Sequence, residues 1–143
     1  MKKEKGFSLL ELLIVVAIIL IIATIAIPSL LRSRQAANES GAVANLRTLN
    51  TAQVSYSSAG HGTYGTLTDL ANAGLVDTRF STVFSGYAYS ITLSANSLDY
   101  TVTASAVSQN TGRYDYYTTP DYVIRFSTAA TRSPAGLNGQ PVQ

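Results

Sequence analysis

An apolar run near the start of the chain constrains the fold more than any other feature. Residues 12–23 are an uninterrupted series of Leu, Ile, Val and Ala. The polar or helix-breaking residues of the wider segment 7–31 are Ser8, Glu11, Thr24, Pro28 and Ser29. A membrane-spanning helix needs about 20 mostly apolar residues, so this segment is long enough to cross a bilayer. It has no polar face to show water, which argues against a buried helix of a soluble domain.

Glu11 is the one acidic residue in this segment. A carboxylate near the end of an apolar helix is costly unless a cation neutralises it, and no Lys or Arg lies within helical reach. If the chain were cut after Gly6, however, Phe7 would carry a new α-ammonium about one helical turn before Glu11. The sequence therefore indicates a cation that proteolysis would create.

The residues from Lys5 to Ile19, Lys-Gly-Phe-Ser-Leu-Leu-Glu-Leu-Leu-Ile-Val-Val-Ala-Ile-Ile, resemble the class III signal of type IV pilins. The resemblance implies that a membrane peptidase cuts between Gly6 and Phe7 and methylates the new N-terminus at Phe7. It also implies that Glu11 pairs with the N-terminal ammonium of a neighbouring subunit during filament assembly. Such a pair in a low-dielectric core penalises misregistered packing more than it raises total stability.

By this resemblance we expect a structural subunit that polymerises with copies of itself into a helical surface filament. The implied partners are the prepilin peptidase, an inner-membrane assembly platform and an assembly ATPase. The implied locations are the inner membrane for the single-pass precursor and the extracellular pilus for the mature protein. Motility, adhesion and DNA uptake all remain open as the task, and no cofactor is expected.

Several alternatives use the same segment differently. A pseudopilin of type II secretion shares the architecture, but the chain lacks the Asp-containing C-terminal calcium loop typical of major pseudopilins. A membrane-anchored binding or hydrolytic head, or a plain anchor, would keep the leader uncut. An ordinary secretory signal fits poorly because no Ala-x-Ala site follows the run and Glu11 interrupts it.

The charge balance changes once the proposed leader is removed. All the lysines precede the cut, and the remaining arginines and acids are equal in number, so the side-chain balance of the mature chain is zero. A nucleic-acid footprint needs basic residues clustered on one face, and the only close pair is Arg32 with Arg34. We therefore predict no specific nucleic-acid partner. Zero cysteines mean that the exported domain must be stable without disulfides.

The expected organisation is a leader at 1–6, a membrane and filament-core helix at 7–31, a globular head at 32–129 and a loose tail at 130–143. Pro28 predicts a helix kink because it lacks the amide that would bond four residues back. The helix is expected to continue to about Ser57, with an apolar stripe that Gln53 interrupts. The stripe consists of Val43, Leu46, Leu49 and Tyr56; the residues assigned to water or to neighbouring subunits are Arg32, Arg34, Asn38, Glu39, Asn45, Arg47 and Asn50.

The rest of the head reads as α+β, with the long helix packed on a four-stranded antiparallel sheet. A short helix is predicted over 66–74, capped by Thr66 or Thr68, after which Leu75 and Val76 should re-enter the core. Alternating residues predict a hairpin of strands 87–93 and 98–106, and a second pair at 113–117 and 122–127. The nine tyrosines suit strands that face a helix on one side and water on the other.

No residue pattern indicates catalysis, and we predict that the protein is not an enzyme. His61, the single histidine, lies between two glycines in a predicted loop and has no Gly-x-Ser-x-Gly elbow to serve. Asp115 and Asp121 flank a predicted hairpin turn, where aspartate is common without a metal. No metal site is therefore expected.

Overall fold

A computed structural model of the chain describes residues 6–126 and 139–142. The chain divides into two compact units, residues 1–34 and 35–143, which are treated separately below. The long helix α1, Leu9–Tyr56, contributes to both units and is followed by a π-helical turn at Ser57–His61. The remaining elements are α2 at Leu67–Asn72, a 3₁₀ turn at Thr78–Ser81, β1 at Tyr87–Leu93, β2 at Tyr100–Ala106, β3 at Tyr116–Thr118, β4 at Ile124–Phe126 and β5 at Gln140–Pro141.

In the first unit, the helix carries apolar side chains on every face and buries almost none of them. By length and composition it could cross a membrane, and none of its most apolar 18-residue window is buried within the chain. Pro28 lies inside α1, and the residues on both sides of it are helical. A kink at Pro28 stays a prediction.

In the second unit, the residues of α1 from Gln35 onward pack against the sheet. Leu46 and Leu49 are fully buried, as the predicted apolar stripe requires, and Val43 is partly buried against the same core. The aromatic and aliphatic side chains that meet them from the sheet include Tyr87, Tyr100, Val102 and Tyr116. The predicted α+β architecture is confirmed.

The sheet is antiparallel throughout, with its strands in sequence order from β1 to β5. The predicted first hairpin is confirmed, since Tyr87 pairs with Ala106 and Leu93 with Tyr100. Burial alternates along β2, with Tyr100, Val102 and Ala104 facing the core. This alternation is what made the hairpin visible in the sequence.

The structure has five strands where the sequence predicted four. The added strand β5 pairs with β4 through Arg125 opposite Pro141, and the amide of Val142 donates to the Ile124 carbonyl at 2.8 Å. These residues belong to the segment predicted as a loose tail; a two-residue strand is too short to show alternation, so composition alone could not reveal it. Residues 127–138 and 143 lie outside the described part.

The second strand pair is shorter than predicted. The carboxylate of Asp115 accepts a hydrogen bond from the amide of Ala106 at 2.8 Å, so a side chain replaces the ladder bond that a longer β3 would make. On the other side of the turn, Tyr122 has a left-handed φ of 63° and Asp121 accepts from the amide of Val123. The hydrogen bond to Asp115 ends β3 early, and the turn at Asp121 and Tyr122 delays the start of β4.

The short helix α2 begins as predicted at Thr66. The Thr66 hydroxyl accepts from the amide of Asp69, and the Asp69 carboxylate accepts from the amide of Thr66, which forms a complete capping box. Gly74 follows the helix at a φ of 70°, a conformation that glycine adopts without strain. Leu70 and Val76 face inward, but Leu75 is 36% exposed, so its predicted return to the core is wrong.

Candidate functional site

The start of α1 carries the residues that the sequence singled out. Gly6, Phe7 and Ser8 precede the helix and are not helical, so the Gly6–Phe7 peptide bond lies in irregular backbone. The Ser8 amide donates to Oε2 of Glu11 at 3.1 Å, and the Leu10 amide donates to Oγ of Ser8 at 3.3 Å. The Glu11 contact is one half of a capping box, and the Ser8 hydroxyl takes the second amide of the helix, so these amides at the helix start have side-chain acceptors.

Glu11 therefore has a partner in the uncut chain that the sequence analysis did not identify. The sequence signal for this contact is local, because Ser-x-x-Glu is the spacing of a capping box. The structure brings Ser8 and Glu11 together, whereas Pro28 lies several turns further along the same helix. Uncapped amides at a helix start favour a nearby negative charge, so Glu11 is well placed electrostatically as well.

Nothing in the described part of the chain requires glycine at position 6. A Cβ built on it would meet no atom within 4 Å, and its φ does not fall in the left-handed region. The contrast is Gly112, where a Cβ would collide with the ring of Tyr87. Packing thus explains glycine at 112, whereas neither packing nor backbone conformation among the described residues explains glycine at 6.

The side chains of the apolar segment that follows are exposed. Phe7 is 76% exposed and Leu9 is 82% exposed, and the large aliphatic side chains up to Leu30 remain well exposed. Soluble proteins rarely leave such a contiguous apolar surface uncovered. The surface must be covered by lipid or by other protein, because the described part of the chain does not cover it.

In the head, a buried carboxylate fastens α1 to the loop before β3. Oε1 of Glu39 accepts from the Arg113 amide at 2.8 Å, and Oε2 accepts from the Arg113 guanidinium at the same distance. These hydrogen bonds, together with the charge of Glu39, raise the pKa of Arg113. The assignment of Glu39 to water or neighbouring subunits is therefore wrong: its partner is 74 residues away in sequence and could not be read from a helical pattern.

Two buried side-chain amides, those of Asn50 and Gln53, also connect α1 to the rest of the head. Asn50 donates to the hydroxyl of Thr118 at 2.9 Å and accepts from the hydroxyl of Tyr100 at 3.0 Å, so its assignment to the exposed face is also wrong. Gln53 is fully buried and bonds both the amide and the carbonyl of Gly65, at 3.0 and 2.7 Å. The residue that seemed to interrupt the apolar stripe thus holds the loop after α1 to the helix.

Asp115 and Asp121, the remaining acidic candidates, each have a hydrogen-bond partner within the head. Asp121 bonds Arg125 at 2.6 Å and the hydroxyl of Thr119 at 2.8 Å, and Asp115 holds the amide of Ala106. Across residues 6–126 and 139–142, no three His, Cys, Asp or Glu side chains group as metal ligands do. The side chain of His61 falls outside the described residues.

Comparison with known proteins agrees with the layout of these elements. The family model for the prokaryotic N-terminal methylation motif matches residues 1–27. The chain is 35% identical to the type IV wide pilus major component PilA4 of Thermus thermophilus, over 93% of this chain and 95% of that protein. It is also 48% identical to the type IV major pilin protein PilA of Myxococcus xanthus over 54 residues, which cover 38% of this chain and 24% of that protein.

No solved structure matches this chain significantly. The similarity to PilA4 nonetheless runs through the head as well as the amino-terminal segment, since it covers nearly the full length of both proteins. The expected resemblance is confirmed, and the pseudopilin alternative is not favoured. The chain belongs to the type IV pilins and is a structural subunit of a pilus, not an enzyme.

Proposed function

We propose that this chain is made as a membrane-anchored precursor, cut between Gly6 and Phe7, methylated at Phe7, and polymerised as the major subunit of an extracellular filament. Pilin membership supports processing and polymerisation in general. The names of both relatives support the major role, because one is a major pilus component and the other a major pilin.

The main support for this proposal is the exposed apolar surface of the helix within residues 7–31. A helix that is apolar on every face is stable only in lipid or in a bundle of similar helices. In the precursor, lipid would cover the apolar surface of this helix. In the filament, the same segments of neighbouring copies would cover it. Apolar burial is then similar in the two states, so specific polar contacts decide the register of packing.

Glu11 is the polar group that could set the register. In the precursor its carboxylate accepts from the Ser8 amide. After cleavage, the ammonium of Phe7 supplies a partner with a full positive charge, so the contact becomes an ion pair, whereas the Ser8 amide is neutral. A subunit packed out of register would leave a buried carboxylate far from any cation, which is strongly unfavourable.

Gly6 supports the position of the cut. Since no contact among residues 6–126 and 139–142 requires glycine there, a requirement of the processing enzyme accounts for it better than packing does. The non-helical backbone from Gly6 to Ser8 also leaves the peptide bond outside the hydrogen-bonded helix. An extended bond is more accessible to a peptidase than one inside a helical turn.

The finer partners and location follow from the same scheme. The lysines of the leader would stay on the cytoplasmic face, as basic residues beside a membrane span do, which places the head outside. The membrane would then be the inner membrane. Removing a subunit from lipid requires work, and an assembly platform driven by an ATPase would supply it.

Shearing the cells and analysing the released filaments tests the proposal. We expect an abundant protein in the sheared fraction whose intact mass and N-terminal peptide begin at methylated Phe7. A processed protein that stays with the envelope would contradict the major-subunit role. An uncut leader in both fractions would contradict the processing step itself.

A further inference from the structure

Within the second unit, residues 35–126 and 139–142 as described, two charged side chains of opposite sign have no ionic partner. Three arginines are paired, namely Arg79 with Asp77, Arg113 with Glu39 and Arg125 with Asp121. Asp69 serves the capping box of α2, and Asp115 is buried on the amide of Ala106. Among the described residues of the second unit, which begins after Arg32 and Arg34, those that remain are Arg47 and Asp99.

Arg47 lies at an open groove. The groove has a volume of about 420 Å³ and runs between the residues of α1 from Ala36 to Arg47 and the side chains of Tyr116 and Val142. Val43 and Val142 give it apolar walls, and both also pack against the head core. The groove therefore offers the exposed cation of Arg47 beside two valines, and the Glu39 carboxylate in its lining is already neutralised by Arg113.

Asp99 lies on a projecting turn at another place in the head. It follows Leu98, which is 60% exposed, in the connection between β1 and β2. Oδ1 of Asp99 accepts from the Tyr100 amide at 2.8 Å, and no arginine of the described head reaches the carboxylate. The turn therefore presents an apolar side chain beside an exposed anion, which is the complement of the groove.

The turn and the groove lie at opposite edges of the sheet. The turn joins β1, one edge strand, to its neighbour, whereas Val142 of the groove follows β5, the other edge strand. The turn also packs near the C-terminal end of α1, where Tyr100 meets Asn50, and the groove residues of the helix come before that point. One copy therefore cannot bring its own turn into its own groove.

We infer that in the filament the β1–β2 turn of one subunit docks in the groove of a second copy, with Asp99 against Arg47 and Leu98 against Val43 and Val142. Two different surfaces that complement each other make a heterologous contact, which repeats along an open helical assembly and does not close as a dimer does. This inference rests on the proposed function, because it names the head contact of the same polymer.

Charge reversal of the full-length chain in the bacterium that makes it tests the contact. Arg47→Asp and Asp99→Arg would each place like charges together at every repeat, so we expect the yield of sheared filaments to fall about tenfold. The double variant restores an opposite pair with the signs exchanged, and should recover most of the yield. The matched controls are Arg79→Asp and Asp77→Arg, which reverse the same charges at an ion pair within one head and should leave the yield near wild type.

The amount of processed protein and the filament yields distinguish a failure of this contact from a failure of the proposed function. The amount of protein processed to Phe7 should be equal in all variants, and a wild-type chain that forms no filaments would refute the proposed function, not the contact. Wild-type yields from both single reversals would overturn the contact. A double variant as defective as the single variants would also overturn the contact. In that case the single changes would have damaged the fold, and a second change would not reverse such damage.

Discussion

The amide of Ser8 donates to the Glu11 carboxylate three residues later, so the acidic side chain caps its own helix before any subunit contact exists. Glu11 can therefore act twice, first as a cap and then as the partner of an ammonium. The two roles need different chemistry. A cap needs only an acceptor oxygen, whereas the ammonium contact gains most from a negative charge.

Glu11→Ala should block filament assembly without unfolding the head, since the change removes both roles within the apolar segment. Glu11→Gln is the matched variant: glutamine can still cap the helix, but it carries no charge. We expect both variants to lower the yield of sheared filaments strongly, and tyrosine fluorescence to show a folded head in both. Normal assembly of Glu11→Gln would show that capping alone explains the residue.

Gln53→Leu should destabilise the head, because it leaves the amide and carbonyl of Gly65 without their partners. An unsatisfied buried polar group costs about 1–3 kcal/mol, so the free energy of unfolding should fall by at least about 1 kcal/mol. Urea unfolding of the detergent-solubilised protein measures this. Gln35→Leu is the control, because its amide also bonds a backbone carbonyl, that of Gln109, but at an exposed site where water can substitute. Equal effects of the two changes would contradict the role of the buried clamp.

The ion pair of Asp121 should make part of the head's stability acid-sensitive. Burial by itself would raise the pKa of Asp121, but hydrogen bonds from Arg125, Thr119 and the Val123 amide outweigh it and hold the pKa below its ordinary value. A lowered pKa stabilises the folded state above the ordinary value and loses that effect as the pH falls through the folded one.

The free energy of unfolding should accordingly drop between neutral pH and about pH 3, and Asp121→Asn should show a smaller drop. Asp99→Asn, which removes an exposed carboxylate without an arginine partner in the same head, is the control. An identical pH dependence in wild type and Asp121→Asn would rule out this contribution.

Buried phenols should make the head lose stability at alkaline pH. Burial is the main cause that raises the pKa of Tyr116 to about 12, and it raises those of Tyr87 and Tyr100 further. A raised pKa favours the neutral phenol in the folded state, so this contribution is intact below the ordinary value and is lost as the pH rises above it.

Absorbance titration should therefore show two classes of tyrosine. A free phenol ionises at about pH 10, whereas Tyr87, Tyr100 and Tyr116 should ionise only at higher pH, as the head unfolds. In concentrated urea the two classes should merge into one transition. A single transition in a head that circular dichroism shows to be folded would contradict the buried positions.

The elements that the sequence predicted well are those with a regular pattern. The apolar run, the stripe at Leu46 and Leu49, and the alternation of β1 and β2 each repeat over enough residues to indicate one structure. The cap at Thr66 was visible because capping uses local spacing. The same local spacing links Ser8 to Glu11, but there it lies within an apolar run in which a carboxylate also calls for a cation.

The elements that the sequence could not predict depend on distant partners. Glu39, Asn50 and Gln53 are polar, and a helical pattern assigns polar residues to water unless their partners are known. Those partners lie at Arg113, Thr118 and Gly65 and meet the helix only in the folded head. Strand β5 escaped prediction because its two residues need β4 beside them before they form a strand.

Chemical labelling of the N-terminal amine tests the central claim most directly. After cleavage at Gly6 the chain contains no lysine, so the α-amino group of Phe7 is its only amine. Reductive methylation with deuterated formaldehyde, read by mass spectrometry of the N-terminal peptide, reports whether that amine is accessible. We predict little labelling in intact sheared filaments and complete labelling once detergent dissociates the subunits. Equal labelling in both states would contradict a buried contact between Phe7 and Glu11 in the filament core.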